Sequence, residues 1–277
     1  MKEFFRIFCI RLASMPPLYT EKTIEMIYFL SDAHLGSPAI PDNREHQNKL
    51  IALLEQMSKD AKAIYMLGDM FDFWVEYVIH DSSKRRFSPF FKALKKLSKQ
   101  GIKIHYFVGD HDRWASEGME KLTGAEIHTY PCSITRYGKT IFLSYGTGLY
   151  PYDWYRSSTK AKQKKIRKAI RRNDRLNNSS LQFLYRLLPP AWGNKIGYKW
   201  AQKQTNIEDK DDLIDYAKDE ENHGNHRDYY IFGHTHLATE VPITDNSRVI
   251  LLGDCFEQWT YAQLDEQGNL EIKNYNV

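Results

Sequence analysis

Four short apolar runs stand out along the chain, and each leads directly into acidic or histidine side chains. The runs and the polar groups after them are Ile27–Leu30 before Ser31-Asp32-Ala33-His34, Ala63–Leu67 before Gly68-Asp69, Ile104–Val108 before Gly109-Asp110-His111, and Tyr229–Phe232 before Gly233-His234-Thr235-His236. Uninterrupted apolar runs of this length predict buried strands. Because strands present functional groups at their carboxyl ends, we expect these polar side chains to meet at one edge of a sheet.

Between the runs the apolar spacing becomes helical. Leu50, Leu53, Leu54 and Met57 repeat at three- and four-residue intervals and predict a helix over 43–58. Further helices are predicted over 89–100, where Gly101 provides a stop signal, over 117–122, and over the acidic segment 208–221.

The remaining strand signals are 126–136, 139–145, 249–254 and 260–264, with a turn at Gln267-Gly268-Asn269. Strands that alternate with helices and then give way to a strand-rich region predict a layered α/β fold with mixed sheets. A chain of 277 residues with 42% apolar residues suits one large domain with a real core.

Charge is distributed far less evenly along the chain than the net charge of +4 suggests. Residues 154–205 carry fourteen Lys or Arg and one acid, Asp174, for a net +13, which leaves −9 on the rest of the chain. We interpret about 150–205 as a helical insertion that caps the site. The alternatives are a solvated basic helix beside an ordinary hydrophobic pair and a nucleic-acid groove, and we expect no nucleic-acid partner.

The N-terminal residues 1–25 fit poorly with the rest of the chain. Their apolar stretch is interrupted by Arg6 and Arg11, so it is too broken for a signal peptide or a membrane span. We expect a disordered extension, with Met26 as an alternative start; a short membrane-surface anchor is the competing interpretation.

The chain has three cysteines, Cys9, Cys132 and Cys255, an odd number whose spacing suggests no disulfide pairs. They favour a reducing compartment and hence a cytoplasmic protein.

The polar groups after the strands have the character of metal ligands. Asp32 and His34 are separated by one residue, so in an extended chain both side chains point to the same side and can hold one ion. Mixed carboxylate and imidazole ligands suit Mn, Fe, Zn or Co better than Ca.

The order Asp-x-His, Gly-Asp-x-x-Asp, Gly-x-His-Asp and Gly-His-x-His resembles the calcineurin-like metallophosphoesterases. The longer segments 28–36, 63–74 and 228–236, with Leu252-Gly253-Asp254, resemble the bacterial UDP-2,3-diacylglucosamine hydrolases of lipid A synthesis. The resemblance covers about residues 26–275. It implies a four-layer α/β/β/α sandwich for 26–277, with the insertion acting as a lid over acyl chains.

The resemblance also implies roles for individual residues. Asp69 would bridge two divalent ions, of which Mn is the expected identity, and His111 would act as an acid or charge stabiliser beside the phosphate. The other implied roles are Asp32, His34 and His236 at the first ion, Asp110 and His234 at the second, Asp112 as the partner that orients His111, and Arg113 at a substrate phosphate.

Two positions depart from the pattern of that family. Asp110 stands where the family has Asn, and Tyr145 stands where it has a histidine ligand. A phenol with an ordinary pKa near 10 is a poor ligand for divalent ions at neutral pH, so Tyr145 is a doubtful ligand. We therefore expect one firm metal site and a weak second one.

The sequence supports three interpretations of function. The first is a hydrolase that cleaves the pyrophosphate of UDP-2,3-diacylglucosamine, a nucleotide-sugar lipid, to UMP and a lipid phosphate, at the peripheral surface of the inner membrane. The second is an impaired or non-catalytic relative that binds a glycolipid or nucleotide, which Tyr145 and Asp110 favour. The third is another phosphodiesterase of the superfamily.

Overall fold

The computed structural model describes residues 25–77, 82–149, 160, 164, 178–189, 192–193, 195–197 and 210–276. The extension predicted at 1–25 lies outside these ranges except for Glu25, and so does most of the predicted insertion at 150–205. The strands are β1 (Met26–Leu30), β2 (Ala61–Leu67), β3 (Lys103–Phe107), β4 (Glu126–His128), β5 (Cys132–Arg136), β6 (Lys139–Ser144), β7 (Tyr229–Phe232), β8 (Ala238–Thr244), β9 (Ser247–Leu252), β10 (Thr260–Leu264) and β11 (Leu270–Asn274). The helices are α1 (Asn43–Met57), α2 (Ser82–Arg86), α3 (Ser88–Lys99), α4 (Glu117–Thr123), α5 (Ser179–Arg186) and α6 (Lys210–Asn222).

Two mixed sheets form the centre of the fold. The first has six strands in the order β11-β10-β1-β2-β3-β4, of which β1 to β4 are parallel. The second has five strands in the order β5-β6-β7-β9-β8, of which β6, β7 and β9 are parallel. The four apolar runs supply β1, β2, β3 and β7, which are inner strands, so their side chains are buried on both faces.

Three apolar layers hold the sheets and helices together. Helices α1, α3 and α4 pack on the outer face of the first sheet, where Leu50, Leu54 and Phe90 are fully buried. Side chains such as Phe29 and Ile231 fill the space between the two sheets. Helix α6 covers the outer face of the second sheet. The described residues thus form the four layers α/β/β/α, which confirms the predicted fold class.

The predicted strand 126–136 is wrong as a single element. It is broken after His128, and β4 pairs with β3 in the first sheet whereas β5 pairs with β6 in the second. Pro131 precedes β5 and has no N–H to donate, so the chain leaves one sheet there and enters the other. Two strands, β8 and β11, were not predicted; both are outermost strands of their sheets, where the apolar signal is weak.

Helix boundaries agree with the predictions to within two residues. Helix α1 is capped by the Asp42 carboxylate, which accepts hydrogen bonds from the backbone N–H groups of Arg44 and Glu45.

Within the described residues, no helix combines the length and the apolar character that a membrane crossing requires. Cys132 and Cys255 are both free thiols.

Candidate active site

The side chains predicted to bind metal converge at the carboxyl edge of both sheets. The loops after β1, β2, β6 and β7 are joined there by backbone hydrogen bonds: Asp32 N–H donates to Gly68 O at 3.0 Å, and Gly233 N–H donates to Tyr145 O at 3.1 Å. The Asp32 carboxylate also accepts from His234 N–H at 2.9 Å, which ties the first sheet to the second. The site is therefore fixed by the strand ends rather than by a mobile loop.

Five of the predicted ligands adopt left-handed backbone conformations, which non-glycine residues seldom do. Asp32, His34, Asp69, His234 and His236 have φ values of 53°, 45°, 50°, 68° and 52°. Each such residue costs on the order of 1–3 kcal/mol, and such strain concentrates at functional sites because the surroundings must enforce it. The clustering of this strain on these residues supports a functional centre here.

The first cluster consists of Asp32, His34 and His236, whose ligand atoms all lie within 4.8 Å of one another. His236 Nε2 lies 3.3 Å from Asp32 Oδ1, and His34 Nε2 lies 3.9 Å from the same oxygen. His34 Nε2 is buried and has no hydrogen-bond partner. A buried imidazole nitrogen that faces a carboxylate and has no hydrogen-bond partner is suited to binding a divalent cation. These three residues therefore fit the first ion that was expected.

Asp69 stands beside this cluster. Its Oδ2 lies 3.9 Å from His34 Nε2 and 4.0 Å from His111 Nε2, and its Oδ1 accepts from His111 N–H at 2.9 Å. Gly109 makes room for it, since a Cβ on that residue would lie 2.1 Å from Asp69 Oδ1. Although burial opposes ionisation of the neighbouring Asp32, its contacts with His236 and His34 lower the pKa of Asp32 below the ordinary value.

Two supporting residues have roles that were not predicted. Asp72 Oδ1 lies 3.3 Å from His34 Nδ1, so it orients the ring with Nε2 toward Asp32 and Asp69. Asp254 Oδ1 accepts three backbone N–H groups, those of residues 256–258, and its Oδ2 accepts from the Gln258 amide, which also donates to the His236 carbonyl. Both aspartates lie in segments that resemble the hydrolase family, Gly68–Asp72 and Leu252–Asp254. That resemblance is the sequence signal that could have identified them.

The position expected for the second ion is different, because the Tyr145 hydroxyl lies among the groups that would hold that ion. It donates a short hydrogen bond to Asp69 Oδ2 and lies 3.2 Å from His234 Nδ1 and 3.3 Å from Asp32 Oδ1. Burial, reinforced by the charges of Asp69 and Asp32, raises the pKa of Tyr145 well above its ordinary value, so the phenol keeps its proton.

Asp110, which was also predicted to bind the second ion, makes hydrogen bonds to other side chains. Its Oδ1 accepts from Arg113 Nη2 at 2.6 Å and from Thr147 Oγ1 at 3.2 Å. Neither Asp110 nor His234 belongs to any of the three-ligand clusters found in the described part of the chain. His234 Nε2, by contrast, is buried without a hydrogen-bond partner, as His34 Nε2 is. The contacts of Tyr145 and Asp110 therefore differ from the expected pattern, and the weak second metal site stays a prediction.

His111 is held with one ring nitrogen toward the cluster. Its Nδ1 donates to the Asp72 carbonyl at 2.8 Å, which leaves Nε2 on the side of Asp69. Burial alone would lower the pKa of His111, but the charge of Asp69 and the bond to Asp72 O overcome it and raise the pKa. His111 is thus oriented as a proton donor toward the space beside Asp69.

The predicted role of Asp112 is wrong in its detail. Its carboxylate does not hold the His111 ring; it accepts from Met70 N–H at 2.8 Å, from Gly109 N–H at 2.6 Å and from the Tyr106 hydroxyl. The reason is geometric, because Asp112 is fully buried beneath the loops after β2 and β3 and joins their backbones. The orienting partner of His111 is the Asp72 carbonyl.

The described part of the insertion packs beside the site. Tyr185 of α5 is buried against Tyr77 and Trp114, and Arg186 Nε donates to the Glu76 carbonyl at 2.6 Å. A cavity of about 510 Å³ extends from Arg113, Tyr145 and Thr147 to Gln182 and Arg186. Its volume lies within the range of small-molecule sites, and two arginines, Arg113 and Arg186, line it together with Tyr145.

The same insertion exposes several large apolar side chains. Phe183, Leu184 and Trp192 are 58%, 61% and 69% exposed, although large apolar side chains are usually covered. Of the basic residues of the predicted insertion, Lys160, Lys164, Arg186 and Lys195 lie among the described residues.

Comparison with known proteins agrees with this geometry. A family model described as calcineurin-like phosphoesterase matches residues 26–238. A "UDP-2,3-diacylglucosamine hydrolase" of Porphyromonas gingivalis is 32% identical over 259 residues, which cover 86% of this chain and 94% of that protein. Proteins of the same name from Vibrio parahaemolyticus and Stenotrophomonas maltophilia are 28% and 26% identical, covering 89% and 87% of this chain and 96% and 95% of theirs.

Proposed function

The chain belongs to the calcineurin-like phosphoesterase family and is a phosphohydrolase, and from that premise we propose that it cleaves the pyrophosphate bond of UDP-2,3-diacylglucosamine. The products would be UMP and the corresponding lipid monophosphate. The observation that carries the proposal is the convergence of Asp32, His34, Asp69 and His236 at the carboxyl edge of the two sheets, with His111 beside them.

We infer that Asp32, His34 and His236 hold one divalent ion, for which Mn²⁺ is the expected identity, with Asp69 alongside. When bound, such an ion supplies positive charge to a phosphoryl group that is gaining negative charge. The chain's own groups add to this. His111 Nε2 offers a proton to a phosphoryl or leaving oxygen, and Tyr145 holds Asp69 in place through its hydroxyl.

The arginines of the cavity suit the charge of a pyrophosphate. Arg113 and Arg186 line the space next to Tyr145 and Thr147, and guanidinium groups bind phosphate oxygens through paired donors. Arg113 now pairs with Asp110 and Arg186 bonds to Glu76, so substrate phosphates would compete with these partners.

A turnover assay tests the proposed substrate. The purified protein is incubated with UDP-2,3-diacylglucosamine and, in parallel, with a generic phosphodiester, under Mn²⁺, Mg²⁺, Zn²⁺ and Co²⁺ in turn. We expect release of UMP, fastest with Mn²⁺, and little diester cleavage. Cleavage of the diester without cleavage of the nucleotide lipid would support another superfamily activity in its place.

Replacing His111 by asparagine tests the proposed proton donor. The asparagine amide can still bond to the Asp72 carbonyl, but it has no titrating nitrogen at the position of Nε2. We expect kcat to fall by about 100- to 10,000-fold, the usual effect of losing a general acid, while Mn²⁺ affinity changes little. The measurements are kcat and the affinity for Mn²⁺, obtained by titration. A variant with wild-type kcat would contradict a role of His111 in the chemical step.

The exposed apolar side chains of the insertion lead to a prediction about acyl chains. We propose that Phe183, Leu184 and Trp192 contact the acyl groups of the substrate, and the predicted peripheral association with the inner membrane depends on the same residues. Replacing Phe183 and Leu184 by serine should raise KM for the diacylated substrate and leave KM for its deacylated form unchanged. Equal affinity of the wild type for both substrates would contradict an acyl-binding lid.

A further inference from the structure

A second group of potential ligands lies apart from Asp32, His34 and His236, at the open edge where the two sheets meet, and its member His128 also lines the cavity of Arg113 and Tyr145. His105 comes from β3, and Glu126 and His128 come from the neighbouring strand β4. His105 pairs with Glu126 in the parallel register, and the spacing of two residues places Glu126 and His128 on the same face of β4. The sheet thus brings three ligand-type side chains together on one face.

The distances among these groups match those of a metal site. His105 Nδ1 lies 3.1 Å from His128 Nε2 and 3.2 Å from Glu126 Oε2, and His128 Nε2 lies 3.7 Å from Glu126 Oε1. Tetrahedral bonds of about 2.0–2.1 Å to zinc place neighbouring ligand atoms about 3.3 Å apart. Two imidazole nitrogens that face each other can share one proton, or they can bind one cation together.

Both imidazoles are held rigidly and are ready to bind. The His105 ring stacks on Tyr65 at 4.4 Å and the His128 ring stacks on Phe107 at 4.5 Å. Burial lowers the pKa of His105 to about 4 and also lowers the pKa of His128, so both rings are neutral at pH 7 and bind a cation without first losing a proton.

The surroundings leave the cluster accessible. A cavity of about 600 Å³ opens beside it, and its other wall is formed by β5, including Cys132 and Arg136. Glu126 contributes the negative charge among the three ligands, and Lys103 and Arg136 oppose it from nearby. Two imidazoles and one carboxylate, with one position open to solvent, suit a borderline transition metal better than Mn²⁺ or Mg²⁺.

We propose that His105, Glu126 and His128 bind a divalent transition-metal ion, Zn²⁺ in preference to Mn²⁺, and that this ion fastens the three-residue strand β4 to β3. The site is separate from the cluster of Asp32, His34 and His236 and does not depend on the proposed substrate. Because β4 is the outermost strand of the first sheet, an ion that joins it to β3 stabilises the folded state by mass action.

Zinc titration of the full chain tests this proposal. Protein freed of metal by chelator is titrated with Zn²⁺ against a chromophoric chelator, as wild type, Glu126→Gln and His128→Asn. We expect each variant to lose one tight equivalent, its affinity falling by more than the roughly 10- to 100-fold that loss of a supporting group costs. Added Zn²⁺ should raise the melting temperature of the wild type by more than that of either variant.

Two controls keep the result specific. His226→Asn alters an exposed histidine that lies 2.9 Å from Glu221 and belongs to none of the three-ligand clusters of the described residues, so it should leave zinc binding unchanged. Glu126→Gln should hydrolyse substrate at the wild-type rate with Mn²⁺ supplied, because Glu126 lies outside the active site. Equal zinc equivalents and affinity in the wild type and both variants would overturn the proposal.

Discussion

Replacement of Asp32 by asparagine is expected to lower the rate of hydrolysis by about a thousandfold or more. Asp32 is fully buried, and it is the one group of the first cluster that faces both His34 and His236. The asparagine keeps the shape of the side chain but removes the negative charge that attracts the ion. A loss of ~4 kcal/mol of charge stabilisation corresponds to about three orders of magnitude in rate.

The same variant should be less stable than the wild type at neutral pH when metal is removed. The contacts with His236 and His34 lower the pKa of Asp32 in the folded protein, so the folded state favours the charged carboxylate that asparagine removes. The measurements are kcat with Mn²⁺ and the melting temperature in chelator. Asp60→Asn is the control, since that carboxylate accepts a bond from Tyr28 just before β2 begins, away from the carboxyl edge. Wild-type kcat in Asp32→Asn would contradict the assignment of the metal site.

Replacement of Tyr145 by histidine, combined with Asp110→Asn, is expected to create a second ion site and to raise the rate of hydrolysis by about tenfold or more. The histidine would replace a phenol that lies among Asp69, His234 and Asp32 with an imidazole that binds divalent ions at neutral pH. The asparagine would remove a carboxylate that now pairs with Arg113, so the arginine gains freedom to meet a phosphate.

The measurement is the electron paramagnetic resonance spectrum of the Mn²⁺ form, in which two adjacent ions give a spin-coupled signal and one ion does not. Tyr145→Phe is the matched control, because it keeps the ring and removes the hydroxyl without adding a ligand. We expect the coupled signal in the double variant alone. A coupled signal in the wild type would show that the site holds two ions despite Tyr145, and no gain in rate would mean that one ion suffices.

The sequence pointed to the proposed ligands because their signal is local. An apolar run followed by Asp or His is read directly from the order of residues, and Asp32, Asp69 and His236 follow inner strands as predicted. The four-layer arrangement came from the resemblance of those motifs to a known family. Neither periodicity nor composition distinguishes four layers from three.

The features that escaped prediction depend on contacts between distant segments. Asp72 and Asp254 act on His34 and on the loop behind His236, and only the folded loops reveal those partners. The assignment of Asp112 to His111 failed because sequence neighbours on a tight loop can face opposite ways. The cluster of His105, Glu126 and His128 joins residues of two strands, with His105 and His128 separated by 23 positions in the sequence, so no short motif marks it.

The most direct test of the central claim is a diffraction experiment on crystals grown with Mn²⁺, with data collected at the manganese absorption edge. We predict one anomalous peak bounded by Asp32, His34 and His236, with the Tyr145 hydroxyl remaining between Asp69 and His234. A map with no peak beside Asp32, His34 and His236 would contradict the metal-dependent phosphohydrolase described here.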